Sequence, residues 1–255
     1  MKIIALLALL IGITGVSQAG TIGSDVEVQL RTDNGRTLPF YPVKTEGPVQ
    51  KAYAEAVKGN NYRILVRNRL NRRIGIVVAV DGRNIISGKK SWLRNSERMY
   101  ILEPYETGEF SGWRTGSDRI NRFYFTKAAK SYAASFRDES AMGVIAVAVY
   151  PEVRRYDPPW YDSSQELTRD KAARSAAPSA RTEEKSAGTG YGREEYSPST
   201  TVAFEPESDP VEKIFLKYEW RSTLCKKGII RCGGQQEPHN RMWDEEGFAP
   251  PPGRY

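Results

Sequence analysis

The sequence predicts an all-β protein: an antiparallel β-sandwich with one long mobile insertion and a short helix. Apolar and polar residues alternate with a period of two in most segments that carry large hydrophobic side chains. Turn signals, Asp-Asn-Gly at residues 33–35 and Asp-Gly at 81–82, follow two of these segments and favour tight hairpins. Beyond residue 19, no long segment has apolar residues at helical spacing.

The first strands are predicted from alternation and turns. Val26, Val28 and Leu30 alternate with polar residues, and residues 37–43 read as the return strand. Residues 52–57 fit either a helical turn or a strand. We favour a hairpin that runs through a Lys-Gly-Asn turn at 58–60 into a strand at 62–66.

Residues 74–80 are apolar on both faces, which predicts a strand that is covered on both sides. The alanines within residues 127–136 favour a short helix. Further strands are predicted at residues 98–102, within 105–113, and at 120–126, 143–150, 200–205 and 213–220.

Residues 1–19 have the pattern of a secretory signal peptide. Lys2 precedes an apolar run that ends at Val16, and small side chains, Ser17 and Ala19, occupy the positions of a cleavage site. The alternative is a buried or membrane helix, but the run is shorter than the ~20 residues that span a bilayer. We therefore expect a periplasmic or secreted protein with no transmembrane span after cleavage.

The rest of the chain is predicted to form one domain. Residues 20–150 supply the main part of the sandwich, and residues 188–233 supply its returning strands. Residues 151–187 are rich in Ser, Ala, Arg and Glu and bury little, so they read as a mobile insertion. Residues 234–255 form a proline-rich tail.

Two cysteines, Cys225 and Cys232, have an oxidising compartment in which to pair if the chain is exported. Two free thiols are the alternative. The single histidine, His239, lies in the tail and no cluster of ligands surrounds the cysteines, so we expect neither a metal site nor a cofactor.

Positive charge is concentrated in one stretch. The whole chain carries a formal charge of +7, and residues 62–102 contain ten basic residues against two acidic ones, a net charge of +8. Such a segment attracts anions, although an ordinary solvated face is the alternative. The candidate binding residues are Arg69, Arg72 and Arg73, with Trp113 and Arg114 as an aromatic–cation pair. For Trp113, a place in the core is the alternative.

No constellation of catalytic residues stands out. Residues 188–192 are glycine-rich but lack the Gly-Lys-Ser/Thr ending of a phosphate loop, so we interpret them as a loop. Carboxylate pairs are conceivable at Glu106 and Glu109, or at Asp118 and Asp138. We therefore expect a non-enzymatic module that binds an envelope protein or an anionic surface, and no nucleic acid. The alternative is a hydrolase of an envelope polymer whose carboxylates converge only in the fold.

Four blocks of the sequence together resemble a family of exported bacterial proteins with no assigned activity. The blocks are RNRLNRRIGIVVAVDGRNIISGK, GWRTGSDRINRFYFT, GVIAVAVY and GTGYGREEYSPSTTVAFE, and the resemblance covers residues 53–230. It implies one β-sandwich-like domain with a long insertion, rather than two domains. It transfers no catalytic residue.

Cleavage is expected between Ala19 and Gly20, because small residues there follow the apolar run. Mass spectrometry of the protein from the envelope fraction should find Gly20 at the N-terminus. Recovery of intact Met1 in that fraction would contradict the prediction.

Overall fold

The computed structural model describes residues 20–45, 47–154 and 186–232. The predicted signal peptide, most of the predicted insertion, and the tail with His239 lie outside the described residues and stay predictions. The strands are β1 (Thr21–Ile22), β2 (Val26–Thr32), β3 (Phe40–Val43), β4 (Val49–Ala56), β5 (Tyr62–Asn68), β6 (Ile74–Val80), β7 (Arg83–Asn84), β8 (Tyr100–Leu102), β9 (Thr107–Phe110), β10 (Gly112–Arg114), β11 (Arg119–Lys127), β12 (Val144–Pro151), β13 (Ala187–Tyr196) and β14 (Glu212–Trp220).

Three sheets pack around a common apolar core, which confirms the predicted all-β class. One sheet has the order β1-β2-β5-β9 and a second has the order β10-β11-β13. The largest has the order β3-β4-β14-β12-β6-β7, and β8 pairs with the beginning of β6. Side chains from each sheet, such as Ile64, Phe123 and Val147, meet in the core.

Strand β6 is buried at all seven positions, as its two apolar faces predict. One face joins the main core through Ile76 and Val78. On the other face, Val77 packs in a smaller cluster that Leu93 and Met99 cover. The segment between β7 and β8 is therefore held against the sheet by apolar contacts.

The predicted hairpin between residues 52–57 and 62–66 is wrong, although both strands exist. Strand β4 pairs with β3 and runs parallel to β14, whereas β5 pairs with β2 and β9. The turn after β4 carries the chain from one sheet to another, and Gly59 N donates to the Phe125 carbonyl at 2.8 Å. A turn signal specifies a reversal of direction, not the pairing partner.

The short helix is not where the alanines predict it. Residues 127–136 contain two 3₁₀ turns, Ala128–Lys130 and Ala134–Phe136. Ser131 between them is extended, and its Oγ accepts a hydrogen bond from Ala134 N at 3.1 Å, which begins a new turn. The α-helix of the described residues, α1, is Arg221–Lys226.

Two further predictions are corrected near the end of the chain. The glycine-rich stretch at 188–192 is part of strand β13 and not a loop. Glycine is needed there because a Cβ on Gly190 would lie 2.2 Å from the Tyr124 ring. Residues 200–205, predicted as a strand, form none. At their end, the Glu205 carbonyl accepts the Val153 N–H at 2.8 Å, and Pro206 forms an isolated bridge with Glu152.

The predicted disulfide is confirmed. Cys225 in α1 is bonded to Cys232, and their Cα atoms are 5.6 Å apart. No helix within the described ranges is long and apolar enough to cross a membrane.

The N-terminal sheet is tied to the largest sheet by the buried carboxylate of Glu212. It accepts hydrogen bonds from Ser24 N at 2.8 Å, Ser24 Oγ at 3.0 Å, Asp25 N at 3.0 Å and Val26 N at 3.1 Å. All four hydrogen bonds are accepted by carboxylate oxygens. If glutamine replaced Glu212, its NH₂ group would face N–H donors and could not accept hydrogen bonds from them.

Glu212→Gln is therefore expected to lower the free energy of unfolding by about 1–3 kcal/mol, as measured by urea denaturation. The matched control, Glu194→Gln in an exposed surface pair with Arg119, should change it by less than about 0.5 kcal/mol. Equal effects of the two substitutions would contradict the anchoring role of Glu212.

Candidate functional site

The fold brings acidic partners to the basic segment. Arg63 pairs with Glu109 at 2.7 Å, and Arg73 pairs with Glu152 at 2.8 Å. The remaining pairs of this kind are Arg63 with Asp33, Arg72 with Glu207, Arg73 with Glu103, and Lys90 with Asp138. Because these acids come from outside residues 62–102, the local charge of +8 is partly compensated in the folded chain.

The five predicted binding residues fall in two places. Arg69 is exposed, while Arg72 and Arg73, in the same turn, are half-buried and ion-paired. Trp113 is 2% exposed, and its Nε1 donates to the Gly190 carbonyl at 3.1 Å. Trp113 thus lies in the core.

The Arg114 guanidinium is occupied by its own chain. Its Nε donates to Tyr100 Oη at 2.8 Å, and its Nη1 donates to the carbonyls of Gly116 and Ser197. These contacts hold the turn after β10. A binding role for Arg69, Arg72, Arg73, Trp113 and Arg114 stays a prediction.

The carboxylates considered for hydrolysis have separate partners. Glu109 and Asp138 pair with cations, Glu106 accepts the Glu103 N–H, and Asp118 lies beside Arg119. Among the described residues, three acids are buried, Asp81, Glu212 and Glu219. Glu219 binds Lys227, and Glu212 lies at the opposite end of β14. In the part of the chain described, no group of three or more His, Cys, Asp or Glu side chains is placed to hold a metal ion.

A continuous surface of cations and aromatic rings lies next to the turn that follows β6. Lys90 Nζ lies 5.4 Å from the centroid of the Trp92 ring. Lys90 faces Arg83 across an antiparallel bridge. The Arg83 guanidinium lies 3.7 Å from the centroid of the Phe136 ring, a close cation–π contact.

The rings continue from Phe136 across the sheet. Tyr132 contacts Phe136 with centroids 5.0 Å apart and stacks on Tyr191 with centroids 5.3 Å apart. Tyr132 also packs on buried Trp113, with centroids 4.4 Å apart. We call this series the aromatic–cation row: Trp92, Lys90, Arg83, Phe136, Tyr132 and Tyr191. Arg83 is buried, and the other members are exposed or half-buried.

The row exposes large rings that the core does not cover. The exposed fractions are 62% for Trp92, 50% for Phe136 and 45% for Tyr191. Exposed rings close to cations are frequent at recognition surfaces, because the rings supply contact area with few rotatable bonds.

Arg83 is unusual among the arginines of this fold. Arg83 and Arg122 are both buried, at 8% and 5% exposure. Arg122 has two carboxylate partners, Asp33 and Glu195. Arg83 donates to the Gly88 carbonyl at 2.8 Å, and no carboxylate of the described residues pairs with it. Because no described carboxylate compensates it, the Arg83 charge adds positive potential to the row.

The loop that carries Arg83 is held by Asn84, which is 1% exposed. Asn84 Oδ1 accepts hydrogen bonds from Ile86 N at 2.9 Å and Ser87 N at 3.1 Å, and its Nδ2 donates to the Arg98 carbonyl at 2.8 Å. The loop that carries Arg83, Lys90 and Trp92 therefore has internal hydrogen bonds that fix its backbone.

Beneath the row lies a buried polar network centred on Asp81. Its Oδ1 accepts hydrogen bonds from Gly143 N at 2.8 Å and Tyr218 Oη at 2.5 Å, and its Oδ2 accepts one from Thr189 N at 2.7 Å. Thr189 Oγ1 lies 2.7 Å from both Tyr218 Oη and Tyr62 Oη. Since Tyr218 donates to the carboxylate, Thr189 donates to Tyr218 and Tyr62 donates to Thr189.

Burial raises the pKa of Asp81 to about 6, and the hydrogen bonds from Tyr218, Thr189 and Gly143 limit that shift. Burial also raises the pKa of Tyr62 and of Tyr218 well above their ordinary value. The network connects to the row because the Thr189 carbonyl accepts the Tyr132 N–H at 2.8 Å.

Sequence reasoning missed the row and the network. The sequence favours a hairpin turn at Asp81 over coordination of a cation by Asp81 and Asn84, and the turn is confirmed by the φ of Asp81, 49°, and the pairing of Val80 with Arg83. Phe136 and Tyr132 fall in the stretch predicted as a helix. The one available signal was Asp81 itself, an acid directly after a strand that is apolar on both faces.

No protein family, curated protein or solved structure matches this chain. Its function is therefore inferred from its own geometry.

Asp81 is expected to make stability fall as pH rises from about 4 to about 6. In this window the folded protein keeps a proton that the unfolded chain, with an ordinary pKa of 3.8, has released. The change should reach about 3 kcal/mol and then level off above pH 6. Urea unfolding of wild type and of Asp81→Asn is measured between pH 3.5 and 7, about the span of both pKa values. The difference between the two free energies of unfolding at each pH gives the contribution of Asp81.

Asp118→Asn is the control, because its side chain is 51% exposed and its replacement should change the free energy of unfolding by less than about 0.5 kcal/mol. An Asp81→Asn profile parallel to that of wild type would show that Asp81 does not titrate in this window.

Proposed function

We propose that this chain is an exported, non-enzymatic β-sandwich module that binds an acidic polysaccharide of the cell envelope through the aromatic–cation row. The observation that carries the proposal is Arg83, a buried cation with no carboxylate among the described residues and with Phe136 stacked 3.7 Å away. The signal-peptide pattern and the disulfide support export.

The chemistry of the row fits a polyanion built of sugar rings. Exposed Lys89 and Lys90 would pair with carboxylate, sulfate or phosphate groups, and Trp92, Phe136 and Tyr191 would contact the apolar faces of the sugars. Asp138 is the described acid that pairs with Lys90, and it also accepts a hydrogen bond from Ser140. Those contacts hold the pKa of Asp138 below its ordinary value against the effect of burial.

The alternative hydrolase receives less support from the geometry. Its reaction needs two carboxylates on either side of a substrate. The buried carboxylate of Asp81 accepts three hydrogen bonds from its own fold, and that of Glu212 accepts four. Neither is free to act as a base in a cleft.

A matched pair of triple variants tests the row. Lys89→Gln, Lys90→Gln and Trp92→Ala together remove one positive charge and one exposed ring from the row, and a second positive charge directly beside it. Lys58→Gln, Arg67→Gln and Tyr105→Ala together remove two positive charges and one exposed ring elsewhere on the molecule. The probes are dextran sulfate and uncharged dextran, with binding followed by calorimetry.

Wild type should bind dextran sulfate and not dextran, and binding should weaken steeply above about 0.1 M salt. The row variant should lose at least about tenfold in affinity, while the control variant stays within about twofold. Equal losses would indicate diffuse attraction by the net charge. Binding to phosphatidylglycerol vesicles with none to dextran sulfate would contradict the polysaccharide and indicate a lipid surface.

A further inference from the structure

A groove of about 750 Å³ lies away from the row, beside strand β8. One wall is the β8 segment with Arg98, Met99 and Ile101, and the other is the extended segment that contains Thr200 and Val202. Three of these wall residues, Arg98, Thr200 and Val202, are exposed, so the groove is open to solvent.

The pairing of β6 determines where the β8 backbone points. Glu152 N donates to the Arg73 carbonyl at 3.1 Å, and Asp81 N donates to the Val144 carbonyl at 2.8 Å. In an antiparallel ladder the bonded pairs alternate, so the odd-numbered residues of β6 direct their N–H and C=O groups towards β12. Its even-numbered residues direct theirs towards β8 and β7.

Consequently, Ile74 and Ile76 are the residues that bond to β8, opposite Leu102 and Tyr100. Ile101 lies opposite Gly75, between these two bonded pairs. Its N–H and C=O groups therefore point away from β6, towards the groove. Strand β8 has no second neighbour in the described sheets, which makes it a sheet edge at this point.

The facing wall has the same property. In the described residues, no backbone hydrogen bond involves Thr200, Thr201 or Val202. The segment is held only at its ends, where Ser199 N donates to the Ser117 carbonyl at 2.8 Å and Arg73 Nη2 donates to the Ala203 carbonyl at 3.4 Å. Two backbone segments with unused hydrogen-bonding groups thus border one groove.

The side chains of the groove indicate what would fit between these walls. Arg98 is exposed and has no ion-pair partner among the described residues. The acids nearby are engaged, since Glu97 accepts the N–H groups of Trp92 and Arg94, and Glu103 pairs with Arg73. Apolar surface is supplied by Met99 and Phe204, which also line the groove.

We propose that this groove is a strand-acceptor site, which binds an extended peptide segment of a partner protein as an added strand between Ile101 and Thr200–Val202. Main-chain hydrogen bonds to Ile101 supply the affinity, and alternate side chains of the peptide meet Met99 and Phe204 on one side and Arg98 on the other. The preferred segment therefore alternates apolar and acidic residues. No residue that lines this groove belongs to the aromatic–cation row.

Hydrogen exchange of the full chain provides the first test. The Ile101 amide should exchange fast in the free protein, whereas the amides of Gly75 and Val77, which face β12, should be strongly protected. A protected Ile101 amide would mean that another part of the chain already covers the edge, and would overturn the proposal.

Binding of a defined probe provides the second test. The probe is an acetylated and amidated hexapeptide of alternating Val and Glu, together with the same peptide N-methylated at every second residue. Ile101→Pro removes the outward N–H but keeps an extended backbone, which an edge strand tolerates. Ile101→Val keeps the N–H and is the matched control.

Wild type and Ile101→Val should bind the peptide with affinities within about twofold of each other. Ile101→Pro and the N-methylated peptide should each weaken binding by at least about tenfold. Arg98→Gln should weaken binding of the Val–Glu peptide but not of a Val–Thr peptide. The strand-acceptor site would be overturned if Ile101→Pro bound the Val–Glu peptide as tightly as wild type. It would also be overturned if wild type bound neither the Val–Glu nor the Val–Thr peptide at millimolar concentration.

Discussion

The buried carboxylate of Asp81 is the constraint on which the centre of this fold depends. It joins the turn after β6 to the residue before β12, to β13 and to β14, through Gly143, Thr189 and Tyr218. Apolar packing alone would not fix the relative positions of these strands, since hydrophobic contacts are not directional. The directional hydrogen bonds of the carboxylate fix these positions. Removing its charge from water costs free energy, and the raised pKa of Asp81 reflects that cost.

The same network determines where the surface rings lie. Thr189 donates its N–H to Asp81 and accepts the Tyr132 N–H at its carbonyl, so the position of Tyr132 follows from that of β13. Tyr132 then supports Phe136 and Tyr191, and Arg83 follows Asp81 by two residues. A polar group in the core thus determines where the surface rings lie. A hydrophobic residue at position 81 would make no such hydrogen bonds and would leave the positions of the rings undefined.

The sequence predicted what depends on local periodicity and missed what depends on distant partners. Alternation placed β2, β5 and β11, and two apolar faces placed β6 in a covered position. The parallel pairing of β4 with β14 joins segments about 160 residues apart, and no local pattern encodes it. The acids that neutralise the basic segment come from elsewhere in the chain, so charge along the sequence overstated the charge of the surface.

The aromatic–cation row and the strand-acceptor groove share one support. The segment between β7 and β8 begins beside Arg83 and reaches Arg98 at the groove. Asn84 joins its two ends, because one side chain accepts the N–H groups of Ile86 and Ser87 and donates to the Arg98 carbonyl. Leu93 in the middle of the segment and Met99 at its end pack against β6. A ligand at either surface therefore contacts a segment that is already bonded at both ends. Binding then does not have to offset the entropy of ordering that segment.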